Sequence, residues 1–253
     1  MLRQLVAGAE GGTGMSDDRD ALKREAALAA VAMVEDGMVV GLGTGSTATF
    51  AIEALIERVR GGLRVAGIPT SERSAAQARA GGIELTDFAH HPRLDLTIDG
   101  ADEIARDTLD LVKGAGGALL REKIVAAVSD RLVIVADEPK LLSGLGATMA
   151  VPVEVVEFGW ETTLVRLEAL GARPVRRVSP DGAVFRTDGQ NLILDCHFGT
   201  IADPVGLERA LCGTIGVVEA GLFIGMATTA LVATAGGVIR LDRSPRARPA
   251  AIR

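Results

Sequence analysis

From residue 38 onward the chain alternates short apolar runs with longer stretches whose apolar residues return every three or four positions. The runs are "MVVGL", "LRVAGI", "IEL", "LDLTID" and "RLVIVAD"; between them lie "TATFAIEALIERVR", "SERSAAQARAGG" and "ALLREKIVAAV". Strands and helices alternating at these lengths predict an α/β fold with a Rossmann-like parallel sheet covered on both faces. Its ligand edge is expected at the carboxyl ends of the strands.

After about residue 150 the rhythm changes. "VPVEVVE" predicts a strand, "WETTLVRLEAL" a helix closed by Gly171, "ARPVRRV" a strand, "SPDG" a turn and "NLILDCHF" a strand. "DPVGLERALC" follows as a helix with Asp203 as its cap and Pro204 in its first turn, then "GVVEAGLF" as one strand. The order β-α-β-β-α-β is that of a ferredoxin-like α+β unit, which assigns residues 151–221 to a smaller second domain. "ALVATA" and "GVIRLDR", joined at Gly236 and Gly237, predict a hairpin that rejoins the first sheet, so the larger domain comprises residues 16–150 plus 222–243.

At the start, Ser16 is a candidate cap, Asp17 and Asp18 suit the positive end of a helix, apolar residues recur at 22, 26, 29 and 33, and Gly37 stops the run. Residues 1–15 are Gly-rich without the apolar core of a signal peptide and are expected to be a disordered extension. Residues 244–253 are expected to be a frayed tail.

A chain of 253 residues with 48% hydrophobic and 24% charged residues is long enough for a large core. It has no apolar run near the roughly 20 residues of a membrane span. These values predict a folded cytoplasmic protein with no membrane partner. Net charge is −6 and aromatic residues make up 3%, so neither a phosphate-neutralising stripe nor a stacking platform for nucleic acid is present. Cys196 and Cys212 read as buried thiols, and His90, His91 and His197 come without HExxH or CxxC spacing. Neither a metal nor a cofactor is therefore expected.

Three stretches carry candidate chemistry. "GLGTGST", residues 41–47, follows a strand and opens a helix, where glycine backbone and a positive helix end suit a phosphate, with Thr44, Ser46 and Thr47 adding hydroxyls. It lacks the third glycine and the later acidic residue of a dinucleotide site, and it lacks the GK[ST] of a Walker motif; a purely structural turn is the bland alternative. "IDGADEI", residues 98–104, crowds Asp99, Asp102 and Glu103 at the end of a strand. A solvated turn would explain that composition too.

"LVKGAGGALLREK", residues 111–123, places Lys113 before a glycine loop and Glu122 in the following helix. Most such side chains simply face solvent. The cations, however, are 23 Arg and only four Lys, namely Lys23, Lys113, Lys123 and Lys140. That bias hints at positions where a compact ammonium is wanted. Carboxylates, an ammonium and a phosphate cradle, without a Ser or Cys nucleophile paired to His, suit proton abstraction beside the carbonyl of a sugar phosphate. Crowded acids predict at least one carboxyl pKa raised toward neutrality.

With "TSERSAAQA" and "VADEPK", these segments stand in the order and spacing of type A ribose-5-phosphate isomerase, and the chain resembles that family over residues 16–243. The resemblance implies a metal-free aldose-ketose isomerase of the pentose phosphate pathway that interconverts ribose 5-phosphate and ribulose 5-phosphate. Glu122 would move the proton between C1 and C2, Lys113 would stabilise the enediolate, and Asp99 and Asp102 would reach the sugar to assist ring opening and handle hydroxyl protons. Substrate-binding positions would be Thr44, Gly45, Ser46, Thr47, Gly100, Ala101, Gly114, Ala115, Gly116 and Lys140, with Lys23 near the phosphate. A homodimer or homotetramer is implied as well.

Glu103 is expected to be structural, in a salt bridge. Two departures from the family pattern bear on the site: Ala115 stands where glycine is usual, and Pro139 precedes Lys140 where serine is usual. The alternatives are a sugar-phosphate deaminase, which needs a catalytic His in the site, a CoA transferase, which needs a thioester-forming glutamate, and a non-enzymatic sugar-phosphate sensor, which would carry a helix-turn-helix and could lose Lys113 or Glu122.

Overall fold

The computed structural model describes residues 13–243; the first twelve residues of the expected extension and the expected tail at 244–253 lie outside the described residues. Helix α1 (Thr13–Val31) begins ahead of Ser16, which therefore lies inside the helix instead of capping it. Upstream residues join a helix whenever nothing competes for their backbone groups, so a capping residue type alone does not fix the start. At its other end, Arg58 donates from Nη1 to the carbonyls of Val31 at 2.6 Å and Val34 at 2.7 Å. A guanidinium thus satisfies carbonyls that a helix end leaves orphaned.

The apolar runs become β1 (Val39–Leu42), β2 (Ala66–Pro69), β3 (Glu84–Leu85), β4 (Leu96–Gly100), β5 (Glu103–Ala105), β6 (Leu111–Val112), β7 (Leu132–Asp137) and β8 (Leu141–Leu142). Among them lie α2 (Ser46–Arg60), α3 (Glu72–Ala80) and α4 (Leu119–Ala127). The later part contributes β9 (Val151–Val155), α5 (Trp160–Ala169), β10 (Arg173–Arg176), β11 (Leu192–His197), α6 (Pro204–Cys212), β12 (Val217–Ala220), β13 (Leu222–Phe223), β14 (Thr229–Thr234) and β15 (Gly237–Asp242).

The main sheet has the order β15-β14-β7-β4-β1-β2-β3, and every pairing is parallel except that of the hairpin β14–β15. β7 shows why its sequence is a continuous apolar run. Val133 and Val135 pack with Ala26, Ala30, Ile52 and Leu55 of α1 and α2, while Leu132, Ile134 and Ala136 pack with Leu111, Ala126 and Phe223 on the other face. Burying each larger aliphatic side chain contributes about 1.5–3 kcal/mol, so residues 132–136, covered on both faces, are apolar throughout, and the acidic Asp137 comes only at the strand's end.

Residues 151–220 form a second sheet of order β10-β11-β9-β12, antiparallel throughout, with α5 and α6 closing its core. This is the ferredoxin-like arrangement, and Asp203 accepts from Gly206 N at 2.9 Å at the start of α6 as its cap. A third sheet, β13-β6-β5-β8, was not expected. Its strands of two or three residues are too short to show a period.

The expected single strand "GVVEAGLF" is two strands. It breaks at Gly221, where β12 leaves its pairing with β9 and β13 joins β6. Gly221 accepts from Lys113 N at 2.8 Å and donates to Pro152 O at 2.7 Å. A Cβ there would stand 2.2 Å from the Lys113 carbonyl oxygen, closer than any packed contact. Gly221→Ala is therefore expected to cost roughly 1–3 kcal/mol, a shortfall that thermal unfolding would register as a Tm lowered by several degrees.

Candidate active site

In the main sheet the chain runs outward from β1 to β3 and then returns to the other side of β1 as β4. Loops following β1 and β4 consequently part in opposite directions and leave a crevice at the carboxyl edge. "GLGTGST" and "IDGADEI" both end in that crevice. They are in direct contact: Asp99 Oδ1 accepts from Thr44 N at 3.0 Å and from Gly100 N at 2.8 Å. Gly43 makes the approach possible, since a Cβ on it would lie 2.3 Å from the same Asp99 oxygen.

The third loop supplies the cation. Lys113, at the end of β6, extends its Nζ to Gly100 O at 2.6 Å, Asp99 Oδ2 at 3.0 Å and Glu122 Oε1 at 3.4 Å. All three side chains are enclosed, with residue exposures of 1% for Asp99, 2% for Lys113 and 4% for Glu122. Glu122 enters from the first turn of α4, and its Oε2 is buried with no hydrogen-bond partner.

Burial drives both carboxyls upward in pKa, and the Lys113 ammonium opposes the rise at each. Asp99 is further relieved by its two backbone N–H donors. Glu122 has no such donors and also feels the charges of Asp99 and Asp102, so it is pushed up to about 8. Burial disfavours the charge on Lys113, but Asp99, Glu122 and Asp102 outweigh it and hold the group above the usual lysine range. The cluster is thus an acid–base pair with its cation locked in place.

A cleft of about 250 Å³ opens above this pair. Thr44, Gly45, Ser46 and Thr47 line one side; Gly100, Ala101 and Asp102 line a second; Lys113, Gly114, Ala115 and Gly116 line a third, and Glu122, Lys140 and Arg73 also face it. The structure separates the two aspartates. Asp102 lines the cleft with Oδ2 held by Ala115 N at 2.9 Å, whereas Asp99 lies beneath the floor with both oxygens occupied.

The α2 end of the cleft has the features of an anion seat. No side chain caps α2, and the Thr47 hydroxyl in its first turn is buried without a partner. Lys140 reaches the cleft from the turn after β7, 3.9 Å from Asp137, and burial lowers its pKa against the pull of Asp137 and Asp102. Thr44 directs its hydroxyl away, into a cluster with Thr70 at 2.7 Å, Ser71 at 2.8 Å and Ser74 at 3.1 Å. Lys23 is not brought to the lining: it pairs with Asp20 at 3.0 Å, and its charge is felt at Lys140.

Ala115 needs no special backbone. In this loop positive φ falls at Gly114, +109°, and Gly117, +77°, which leaves an ordinary conformation for the residue with a Cβ. Pro139 sits in the first turn of a short 3₁₀ helix, Glu138–Lys140, where its missing N–H costs no bond. Glu103 is buried, but its partners are not those expected. It accepts from Gly146 N, Thr148 N, Thr148 Oγ1 and Met149 N, so it pins a loop through amides instead of pairing with a cation. Cys196 is buried as expected, whereas Cys212 is exposed. Cys212 meets Glu208 and Glu219 closely enough to share a metal ion, but the Lys123 ammonium already stands there, 2.7 Å from Glu219.

Sequence reasoning missed Arg73, which lines the cleft from the first turn of α3. Its place just beyond the carboxyl end of β2, the neighbour of β1, was the available signal. A larger surface groove of about 370 Å³ between α1 and α2 carries Arg24, Phe50, Glu53 and Glu57, but its acids are exposed and none is paired with a buried base.

The family profile of ribose 5-phosphate isomerase A (phosphoriboisomerase A) matches residues 66–237. The ribose-5-phosphate isomerase A of Gloeobacter violaceus is 58% identical over 92% of this chain and 100% of its own length; that of a Synechococcus strain is 56% identical over 89% and 98%. Among solved structures, ribose 5-phosphate isomerase A from Methanocaldococcus jannaschii superposes with a TM-score of 0.85 at 38% identity, covering 88% of this chain and 99% of that one. The Plasmodium falciparum enzyme gives 0.85 at 40% identity, covering 89% and 99%. With its carboxylates and ammonium at the switch point, and with relatives matched from end to end, the chain belongs to the ribose 5-phosphate isomerase A family of aldose-ketose isomerases.

Proposed function

We propose that the chain interconverts D-ribose 5-phosphate and D-ribulose 5-phosphate through an enediolate, without a metal, with Glu122 as the base. The observation that carries this is the bare Glu122 Oε2, buried beside an ammonium at the foot of a sugar-sized cleft. The substrate phosphate occupies the uncapped start of α2, held by Ser46, Thr47 and Lys140. That anchoring leaves C1 and C2 over Glu122 and spends remote binding energy on alignment.

In the aldose-to-ketose direction Glu122 takes the proton from C2, and the electron pair moves into the C1–C2 bond and onto O1. The negative charge leaves the carboxylate as it arrives on the enediolate oxygen, so the ammonium of Lys113 loosens from one as it binds the other. Glu122 then returns its proton to C1, and Asp102 carries the hydroxyl proton from O2 to O1. Asp99 holds Lys113 from below. A solved D-ribose-5-phosphate isomerase, 34% identical with a TM-score of 0.85, is in complex with phospho-erythronic acid, a ligand with the same phosphate-and-hydroxyl chemistry.

No histidine lines the cleft, which removes the group a deaminase would need. The reading also carries a cytoplasmic location in the pentose phosphate pathway and a homodimer or homotetramer, both resting on family likeness.

Purified protein is expected to isomerise ribose 5-phosphate at an unchanged rate in excess EDTA. Glu122→Gln should lower kcat by roughly 10²–10⁴-fold, the range of a lost general base, while unfolding temperature holds or rises because a buried carboxylate is gone. A variant that keeps most of its rate would remove Glu122 from the mechanism.

The base works only when deprotonated, and its folded pKa is raised to about 8. In the free enzyme kcat/KM should therefore climb with pH to about 8 and level off, losing about tenfold per unit on the acid side. A flat profile from pH 5 to 9 would contradict the assignment. Thr47→Ala and Lys140→Met should each raise KM for ribose 5-phosphate about tenfold or more, with a smaller change in kcat, because a charge-assisted phosphate contact is lost.

A further inference from the structure

Arg177 stands outside the cleft, just past β10, yet its guanidinium is divided between the ferredoxin-like sheet and a loop of the cleft. Nε donates to Asp195 Oδ2 at 2.9 Å and Nη2 to Asp195 Oδ1, a bidentate pair across the ferredoxin-like sheet. The remaining edge leaves that sheet. Nη1 donates to Gly114 O at 2.8 Å and Ala115 O at 3.0 Å, both in the loop that follows Lys113.

The Gly114 carbonyl belongs to the same peptide unit as the Ala115 N–H. In a planar trans peptide these two groups point in opposite directions, so fixing the oxygen on one side aims the hydrogen on the other. That hydrogen is the one Asp102 Oδ2 accepts, at 2.9 Å. One peptide plane is therefore clamped between Arg177 and Asp102. Without the clamp only the Cβ of Ala115 opposes rotation of the plane, because Gly114 has no side chain to resist and already sits at φ +109°. A reversed plane would present a carbonyl oxygen to a carboxylate. The segment carrying Arg177 braces the loop a second time, through Phe185, whose ring lies 2.3 Å from where a Cβ on Gly117 would be.

We propose that Arg177 is a positioning residue for the isomerisation, orienting Asp102 through the Gly114–Ala115 peptide. The role rests on the reading of Asp102 as the group that handles the hydroxyl proton. An arginine serving the ferredoxin-like sheet alone would need only Asp195.

The test is a double-mutant cycle on ribose 5-phosphate turnover, comparing wild type, Arg177→Met, Asp102→Asn and the double variant, with Arg177→Lys alongside. Lysine keeps a cation near Asp195 but cannot span both partners, so it serves if the methionine variant does not fold. Either change at Arg177 should lower kcat about tenfold or more in the otherwise native enzyme, as misplacement of a reacting group does. In the Asp102→Asn background it should lower kcat by less than about twofold, since the group it orients has been altered. An equal loss in both backgrounds, or no loss in either, overturns the proposal. Asp102→Asn with native kcat would instead sink the reading of Asp102 itself.

Discussion

One ammonium, that of Lys113, meets a carbonyl and a carboxylate from the end of β4 and a second carboxylate from α4, all shielded from water. Burying an ion costs several kcal/mol, and a fixed partner of opposite sign is what makes the burial tolerable. Here the partners outnumber the cation. Burial pushes both carboxyls upward, and Glu122 has the fewer donors to offset it, its second oxygen having none. Its basicity follows from burial first and then from the nearby charges of Asp99 and Asp102, with no backbone N–H to offset them, while Asp99 receives two backbone N–H groups and the ammonium.

The main sheet explains how so many charges gather in one place. Its two central strands, β1 and β4, end side by side at the point where strand order reverses, and the β6 loop closes over both. Thr44, Asp99, Asp102, Lys113 and Lys140 each lie within a few positions of a strand end, where backbone direction is fixed by the sheet and side chains are free to differ, and Glu122 comes from the first turn of α4. Rigid strands set the distances; the loops supply the chemistry.

That arrangement is also why much of the cleft's lining could be read from sequence. Glycine loops at strand ends are contiguous in the chain, so Thr44 to Thr47, Asp102, Lys113 and Glu122 announce themselves by local pattern. Long apolar periods likewise revealed the strands of the main sheet and the β-α-β-β-α-β order. What escaped has no local signature. The third sheet is built of strands too short for any period, and the break at Gly221 reflects a carbonyl more than a hundred residues earlier in the chain. Glu103 looked like half of an ion pair because its partners are amides that could be any residue. An aspartate ending a strand reads the same whether it faces a cleft or, like Asp99, lies under it.

Gly221 has a mechanical consequence. The chain enters the ferredoxin-like sheet next to Pro152 and leaves it at Gly221, and those two residues are hydrogen-bonded to each other at 2.7 Å. Entry and exit thus form a paired stem, and Gly221 O takes the backbone N–H of Lys113 as well. A hinge normally needs a free strand of chain on which to swing. This one is soldered to the residue bearing the ammonium, so a tilt of the ferredoxin-like sheet would be transmitted directly to the backbone of Lys113.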